Sequence, residues 1–368
     1  THGRIVGDAV RLAKRRGLTV HMQLMAAIPP GYRVQFGGPV EEDRPRLPDG
    51  SFTGARVDNG GSLASPHIRA YTCALIRDVI REYPEIDVVR LDWPEYPPYA
   101  LASWFFDFGV HARSAAKRLG FDFDVMRADA QRLYDTLTCG LTEVDLDAWR
   151  EPAGVTGLPR WFERFAGFVE LLRFKAALAR ELLEECAAAV KDAGAGRVRL
   201  MPHAFPPPWN ALSGMDFRML APLGIEAVGV KLYTMHWLMM LRGYADAMLA
   251  RQPQLRGALP RALAELFAVS DDPHALTHVD DLRYPGPLEP HRVGARAQDR
   301  KIRVAQQQAG STSVAAFAHG YGPADDFRAR FAIARDAAGG HVWVNRYGYL
   351  SDAKLDAIYA ATHGLSGR

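Results

Sequence analysis

Short apolar runs alternate with longer amphipathic stretches along most of the chain, a pattern that predicts parallel strands joined by helices. Residues 5–16 are amphipathic at helical spacing and lead through Gly17 into the run 18–27. Residues 66–82, with Ser65 as N-cap and Pro66 in the first helical position, lead into 86–93. A long helix over about 165–193 is expected to stop at Gly194 and Gly196 and feed a strand at 197–203; Gly224 then precedes another at 227–233. Helical 295–309 stops at Gly310 before a strand at 313–318, and helical 327–338 stops at Gly339 and Gly340 before one at 341–347. Six strands are legible in this way.

Helix–strand alternation on this scale predicts an α/β fold, a (β/α)8 TIM-type barrel forming one domain over residues 1–368. Eight strands are needed, so one is expected ahead of Thr1, leaving the first strand missing or irregular, and one between Pro253 and Tyr284. Residues 100–157 are too long for a plain crossover and read as a helical insertion covering the barrel mouth, with Trp104, Phe105, Phe106 and Phe108 near its start. Residues 29–62, rich in Gly and Pro, read as a long loop at the same mouth.

Composition narrows the function classes. Hydrophobic residues make up 48% and charged residues 24%, which supports a packed core and excludes a disordered chain. With 45 basic and 42 acidic residues interspersed, no basic stripe suits a phosphate backbone, so nucleic acid is not an expected partner. No apolar run approaches the roughly 20 residues that cross a bilayer, so no membrane partner is expected either. Cys73, Cys139 and Cys186 are odd in number and scattered, which suits reduced thiols in a cytoplasm. That location is provisional, since the chain opens with Thr1 and could lack a preceding signal.

Strand side chains alternate between faces, so each run splits into a helix-facing set and an inward set. Val20, Met22 and Leu24 leave His21 and Gln23 inside; Val89 and Leu91 leave Arg90 and Asp92. Val230 and Leu232 leave Lys231 and Tyr233; Val314, Ala316 and Ala318 leave Phe317 and His319; Val342 and Val344 leave Trp343, Asn345 and Tyr347, while His203 ends its own strand. Barrel interiors are usually filled by branched aliphatics, and burying unpaired charge costs several kcal/mol per group. An inward set this polar points to a site at the C-terminal ends of the strands.

The sharpest segment is residues 86–96, Ile-Asp-Val-Val-Arg-Leu-Asp-Trp-Pro-Glu-Tyr. Arg90 and Asp92 share a face, so the guanidinium is expected to hold the carboxylate ionised, as a nucleophile or charge stabiliser must be. Glu95 lies in a turn stiffened by Pro94, Pro97 and Pro98, where Trp93 and Tyr96 could desolvate it into a proton donor.

These segments, VVRLDWPEY together with RRGLTVHMQLM, VKLYTMHW and VWVNRYGYL, resemble the (β/α)8-barrel glycoside hydrolases and their uncharacterised relatives over most of the chain. In the α-amylase-like branch an Arg-x-Asp strand end supplies the nucleophile, which the resemblance places on Arg90 and Asp92. The chain departs from that pattern in having no glutamate at the end of a following strand; RLMPHAF offers His203, and VKLYTMHW offers Lys231, Tyr233 and His236. Glu265 would be inward if its segment were the unassigned strand, although Pro260 favours a helix there.

Aromatic residues fit a sugar ligand. Trp93, Tyr96, Trp209, Trp237, Tyr321, Tyr347 and Tyr349 fall at or just beyond strand ends, where rings stack on sugar faces while Asn345, Arg346 and the histidines bond hydroxyls. The expected activity is cleavage of a glycosidic bond with no cofactor and no metal; a homo-oligomer is left open. Three other chemistries use the same residues. His203, His236 or His319 could join Asp92 or Glu95 around a divalent ion in an isomerase-type site. Lys231 could form a Schiff base in a lyase on a sugar-like substrate. A non-catalytic carbohydrate-binding barrel is the third.

Overall fold

The computed structural model describes residues 2–27, 40–53, 60–150, 154–272 and 274–363. Among these residues six strands form one sheet in sequence order: β1 (His21–Met25), β2 (Val88–Asp92), β3 (Arg199–Ala204), β4 (Ala227–Leu232), β5 (Ser313–His319) and β6 (Val342–Asn345). Every neighbouring pair is parallel, as helical crossovers require. These are the six strands expected from the alternation. The sheet curls into a half-barrel, and the inward ring of His21 on β1 meets that of Trp343 on β6 edge-on, with centroids 4.5 Å apart.

Helices join the strands and carry the insertion. They are α1 (His2–Arg15), α2 (Pro66–Glu82), α3 (Val110–Leu119), α4 (Phe123–Asp135), α5 (Glu143–Ala148), α6 (Gly154–Glu163), α7 (Ala166–Gly194), α8 (Trp209–Ser213), α9 (Thr234–Leu249), α10 (Leu259–Leu266), α11 (Ala295–Ala309), α12 (Ala324–Ala337) and α13 (Asp352–Thr362). Of these, α7, α11 and α12 pack directly on the sheet. The start of α2 is built as its sequence predicts: Ser65 accepts from the His67 and Ile68 amides, and Pro66 occupies the first turn. None of the described helices is long and apolar enough to cross a membrane.

The two faces of the sheet carry different chemistry. Val89, Leu91, Val228, Val230, Leu232, Val314, Ala316 and Ala318 pack into the main core against the helices. The inward face has its own small cluster, Val88, Met201, Ala315 and Phe317, edged by Ala227, Tyr233 and Trp343. This apolar patch floors the half-barrel below the strand ends.

Two expectations change. The segment between Pro253 and Tyr284 holds α10 and short 3-10 turns, with no strand among its described residues. Leu259, Ala262 and Leu263 recur at helical spacing and are buried, so period decided the element. The insertion after β2 is helical, but its aromatic start does not hang over the mouth. Trp104 packs on Tyr244 and Phe267, and Phe105 on Phe168 of α7, because four large rings need a covered face. Of the loop expected at 29–62, residues 29–39 and 54–59 lie outside the described residues; the rest carries a 3-10 turn at Glu41–Asp43.

Candidate active site

Asp92 ends β2 and sits among groups drawn from three other strands and from the residue that follows it. Lys231 of β4 places its Nζ 2.8 Å from Oδ1, Gln23 of β1 donates to Oδ2 at 3.1 Å, and the Trp93 amide donates to Oδ1 at 3.1 Å. His203 of β3 brings Nδ1 to 3.5 Å from Oδ1. Burial pushes the carboxyl pKa up, but the Lys231 charge and the His203 contact outweigh it, holding Asp92 well below the usual carboxylate range. Trp93, next in the chain, has φ 56°. A bulky residue in the left-handed region costs on the order of 1–3 kcal/mol, and such strain clusters at functional sites.

Arg90 does not pair with Asp92 as its spacing suggested. Its Nε donates to His203 Nε2 at 2.8 Å, and its guanidinium lies 4.6 Å from the centres of both the Phe317 and Trp343 rings. Two residues along a strand place side chains on one face, but the nearer partner of each comes from the neighbouring strand. Because arginine only donates, His203 Nε2 must accept, which leaves the proton on Nδ1, the nitrogen facing Asp92. Burial lowers the His203 pKa to about 4 despite the Asp92 charge, so the ring is neutral at neutral pH.

Glu95 lies behind the same ammonium, its Oε1 4.0 Å from Lys231 Nζ. The side chain is wholly buried: Oε1 accepts from the Phe205 amide at 3.2 Å, and Oε2 accepts from the Ser213 hydroxyl. Burial pushes its pKa up to about 7 against the opposing pull of Lys231 and these two hydrogen bonds. One cation thus holds two carboxyls, one ionised and one half-protonated at neutral pH. Glu95 is close to Asp92, as its sequence position suggested, yet it shows no face to solvent.

Gly229 of β4 lets the floor pack tightly. A Cβ there would come within 2.2 Å of the Phe317 ring, so only glycine allows that ring to lie under Arg90 and, edge-on at 4.4 Å, under His203. His21 belongs to this lower level. It pairs with Val88, four residues before Asp92, or about 13 Å down the strand, and burial with the Arg90 and Arg199 charges lowers its pKa to about 4.

Above the floor an aromatic rim forms. Asn345 Nδ2 donates to the Tyr233 hydroxyl at 2.8 Å, and Tyr233 meets His236 and His319 edge-on. Tyr321 and Tyr349 meet each other edge-on, and Tyr349 lies against His319. Burial lowers His236 to about 4, helped by the Lys231 and Arg346 charges, and His319 to about 3, helped by His236 and Arg346. Both imidazoles are therefore neutral donors and acceptors.

Other expected site residues go elsewhere. Trp237 and Trp209 are buried against each other and beneath Lys301; Trp237 lies on α9 and faces the core. Tyr96 is also core, its hydroxyl donating to Asp107. Tyr347 is 77% exposed beyond β6, and Arg346 is exposed beside it. Glu265 sits on α10 and binds Arg261 at 2.7 Å, so it is no strand-end acid. Four rim residues escaped the sequence reading: Tyr99 packs on Trp93, Phe205 and His236; Phe205 lies 4.5 Å under Lys231 Nζ; Tyr284 touches His236 and Tyr321; and His291 bonds Thr234. Their only signal was an aromatic or histidine in a loop, after a strand for Tyr99 and Phe205 and ahead of α11 for Tyr284 and His291.

No family profile and no curated protein matches the chain. Among solved structures, it is similar to a β-galactosidase from the psychrophilic Marinomonas ef1, with a TM-score of 0.54 and 11% identity over 98% of this chain and 51% of that one. It is similar too to the catalytic domain of a β-amylase from Paenibacillus polymyxa, with a TM-score of 0.53 and 10% identity over 98% of this chain and 85% of that one. The chain spans about half the length of the β-galactosidase. Both neighbours are TIM-barrel glycoside hydrolases, and at these identities the likeness is one of fold.

Proposed function

We propose that this chain is a glycosidase that acts on a carbohydrate through Asp92, on a (β/α)8-type frame to which the six described strands belong. The observation that carries this reading is the pair of carboxyls on Lys231, Asp92 held ionised and Glu95 pushed to about 7. Cleavage through an oxocarbenium-like transition state needs both a fixed negative charge and a proton for the departing oxygen. Asp92 supplies the charge; among the described residues its Oδ2 carries a single hydrogen bond, from Gln23, which leaves it a lone pair for the reacting carbon. Glu95 supplies the proton, and to do so it exchanges its bond with Ser213 for one to the leaving group. Apo geometry of this kind commonly rearranges when substrate binds. The rim of Tyr233, His236, His319, Tyr321 and Asn345 offers ring faces and neutral hydrogen-bonding groups to sugar hydroxyls.

The proton-donor role is tested with aryl glycosides of graded leaving groups. Glu95→Gln should slow substrates with poor leaving groups far more than activated ones, which need little protonation. An equal, small effect on both removes Glu95 from the chemistry. One observation favours a second reading: with both Glu95 oxygens taken, a barrel that binds sugar without cleaving it has the same geometry. Sugar binding without turnover across a broad glycoside panel selects that reading.

A further inference from the structure

Away from the strand ends, three side chains converge where the loop before α2 meets the first turns of α2 and α3. Asp43 Oδ1 lies 3.1 Å from His67 Nδ1 and 3.1 Å from His111 Nε2, and the three ligand atoms all fall within 4.8 Å of one another. The two imidazole planes stand at 86°, with centroids 5.7 Å apart. We propose that Asp43, His67 and His111 bind a divalent first-row transition cation of the Zn2+ class.

Hydrogen bonding alone accounts poorly for this cluster. Asp43 is buried, and its Oδ1 already accepts from the Ser65 hydroxyl and from His67 Nδ1. A carboxylate oxygen has two lone pairs, so His111 Nε2 finds none left on the Oδ1 it faces: it is buried and makes no aligned hydrogen bond among the described residues. An unsatisfied buried nitrogen facing a carboxylate calls for an explanation, and a shared cation gives one. Metal–ligand bonds of 2.0–2.2 Å place tetrahedral neighbours about 3.3–3.6 Å apart, so the two 3.1 Å spacings need to open by only a few tenths of an ångström. Two imidazoles with one carboxylate suit Zn2+ and its first-row neighbours rather than Ca2+ or Mg2+, which take oxygen donors.

The surroundings permit entry. His67 is 67% exposed at its side chain, which leaves the fourth position open to water, and a cleft of about 540 Å³ lined by Pro66, Arg69, His111, Arg118 and Glu185 opens beside it. A cation here would tie three separate stretches of chain together, Glu41–Asp43 and the N-terminal turns of α2 and α3. Binding to the folded form alone then raises thermal stability in a concentration-dependent way.

The test uses the full chain stripped with chelator and titrated with Zn2+, and in parallel with Co2+, whose visible bands report low coordination number. One equivalent should bind, with a rise in Tm. His67→Ala and His111→Ala should each weaken Zn2+ binding by at least about tenfold, remove the Tm rise and abolish the cobalt bands. His67 is exposed, so its substitution leaves the fold intact and keeps the comparison clean. Absence of binding by the wild type, or one-equivalent binding retained in either variant, overturns the proposal.

Discussion

Replacing Lys231 with Met removes the charge on which the proposed site turns while keeping most of the volume of the side chain. Lys231 is 2% exposed, 2.8 Å from Asp92 and 4.0 Å from Glu95. Removing one partner of a buried ion pair costs about 3–5 kcal/mol, because the other charge stays behind uncompensated. Asp92 keeps the Gln23 and Trp93 donors, which places the expected loss near the lower end, about 3 kcal/mol at pH 7. The pH dependence follows from sign. In the wild type Asp92 is depressed, so it contributes stability above the unfolded carboxylate pKa and loses it only as pH falls through the still lower folded value. Without Lys231, burial dominates both carboxyls and raises them, so the variant regains stability by protonating as pH falls. The gap between the two proteins should therefore narrow between pH 7 and pH 4. Urea unfolding of both proteins at several pH values measures this. A loss below about 1 kcal/mol that is the same at every pH would refute the assignment of Lys231 as the shared counter-ion.

Glu95→Gln, which mimics the protonated acid, should change the pH profile of stability. Wild-type Glu95 is raised to about 7 from a usual 4.5, so its contribution is complete below pH 4.5 and lost as pH rises through 7; across that window the variant should gain on the wild type by about 3 kcal/mol, and parallel profiles would contradict the shift. The same residue should set an alkaline limb near pH 7 in kcat/KM, absent in the variant. Gly229→Ala should cost about 1–3 kcal/mol by forcing the Phe317 ring aside, and Phe317→Leu added to it should recover much of the loss; additive destabilisation would show that the two do not meet.

Much of this architecture was legible in the chain because a period of two inside short apolar runs fixes both the strands and their faces. That Gln23, Asp92, Lys231, Tyr233, His319 and Asn345 point inward follows from that period alone. The partner of Asp92 was not legible. Arg90 shares its strand and face, but pairing across β2, β3 and β4 depends on stagger, which puts Lys231 beside Asp92 and sends Arg90 onto Phe317 and Trp343. Trp237 and Trp209 looked like sugar platforms because they follow strands, yet helical periodicity in α9 and stacking on Phe267 draw them into the core. Asp43, His67 and His111 carry no local spacing signal, since the loop and two helix starts that bring them together are joined only in space.

The most direct test of the central claim compares wild type with Asp92→Asn on a panel of aryl and natural glycosides, with sugar binding measured calorimetrically in the same preparations. Asparagine keeps the shape but carries no charge; with its oxygen toward Lys231 and the Trp93 amide, its Nδ2 faces Gln23, whose own amide must turn to accept. The account predicts turnover of at least one glycoside by the wild type, a fall in kcat of at least about 10²–10³-fold in the variant, and sugar affinity largely retained, as loss of transition-state charge stabilisation requires. Undiminished turnover in Asp92→Asn, or a wild-type protein that neither cleaves nor binds any sugar on the panel, would contradict it.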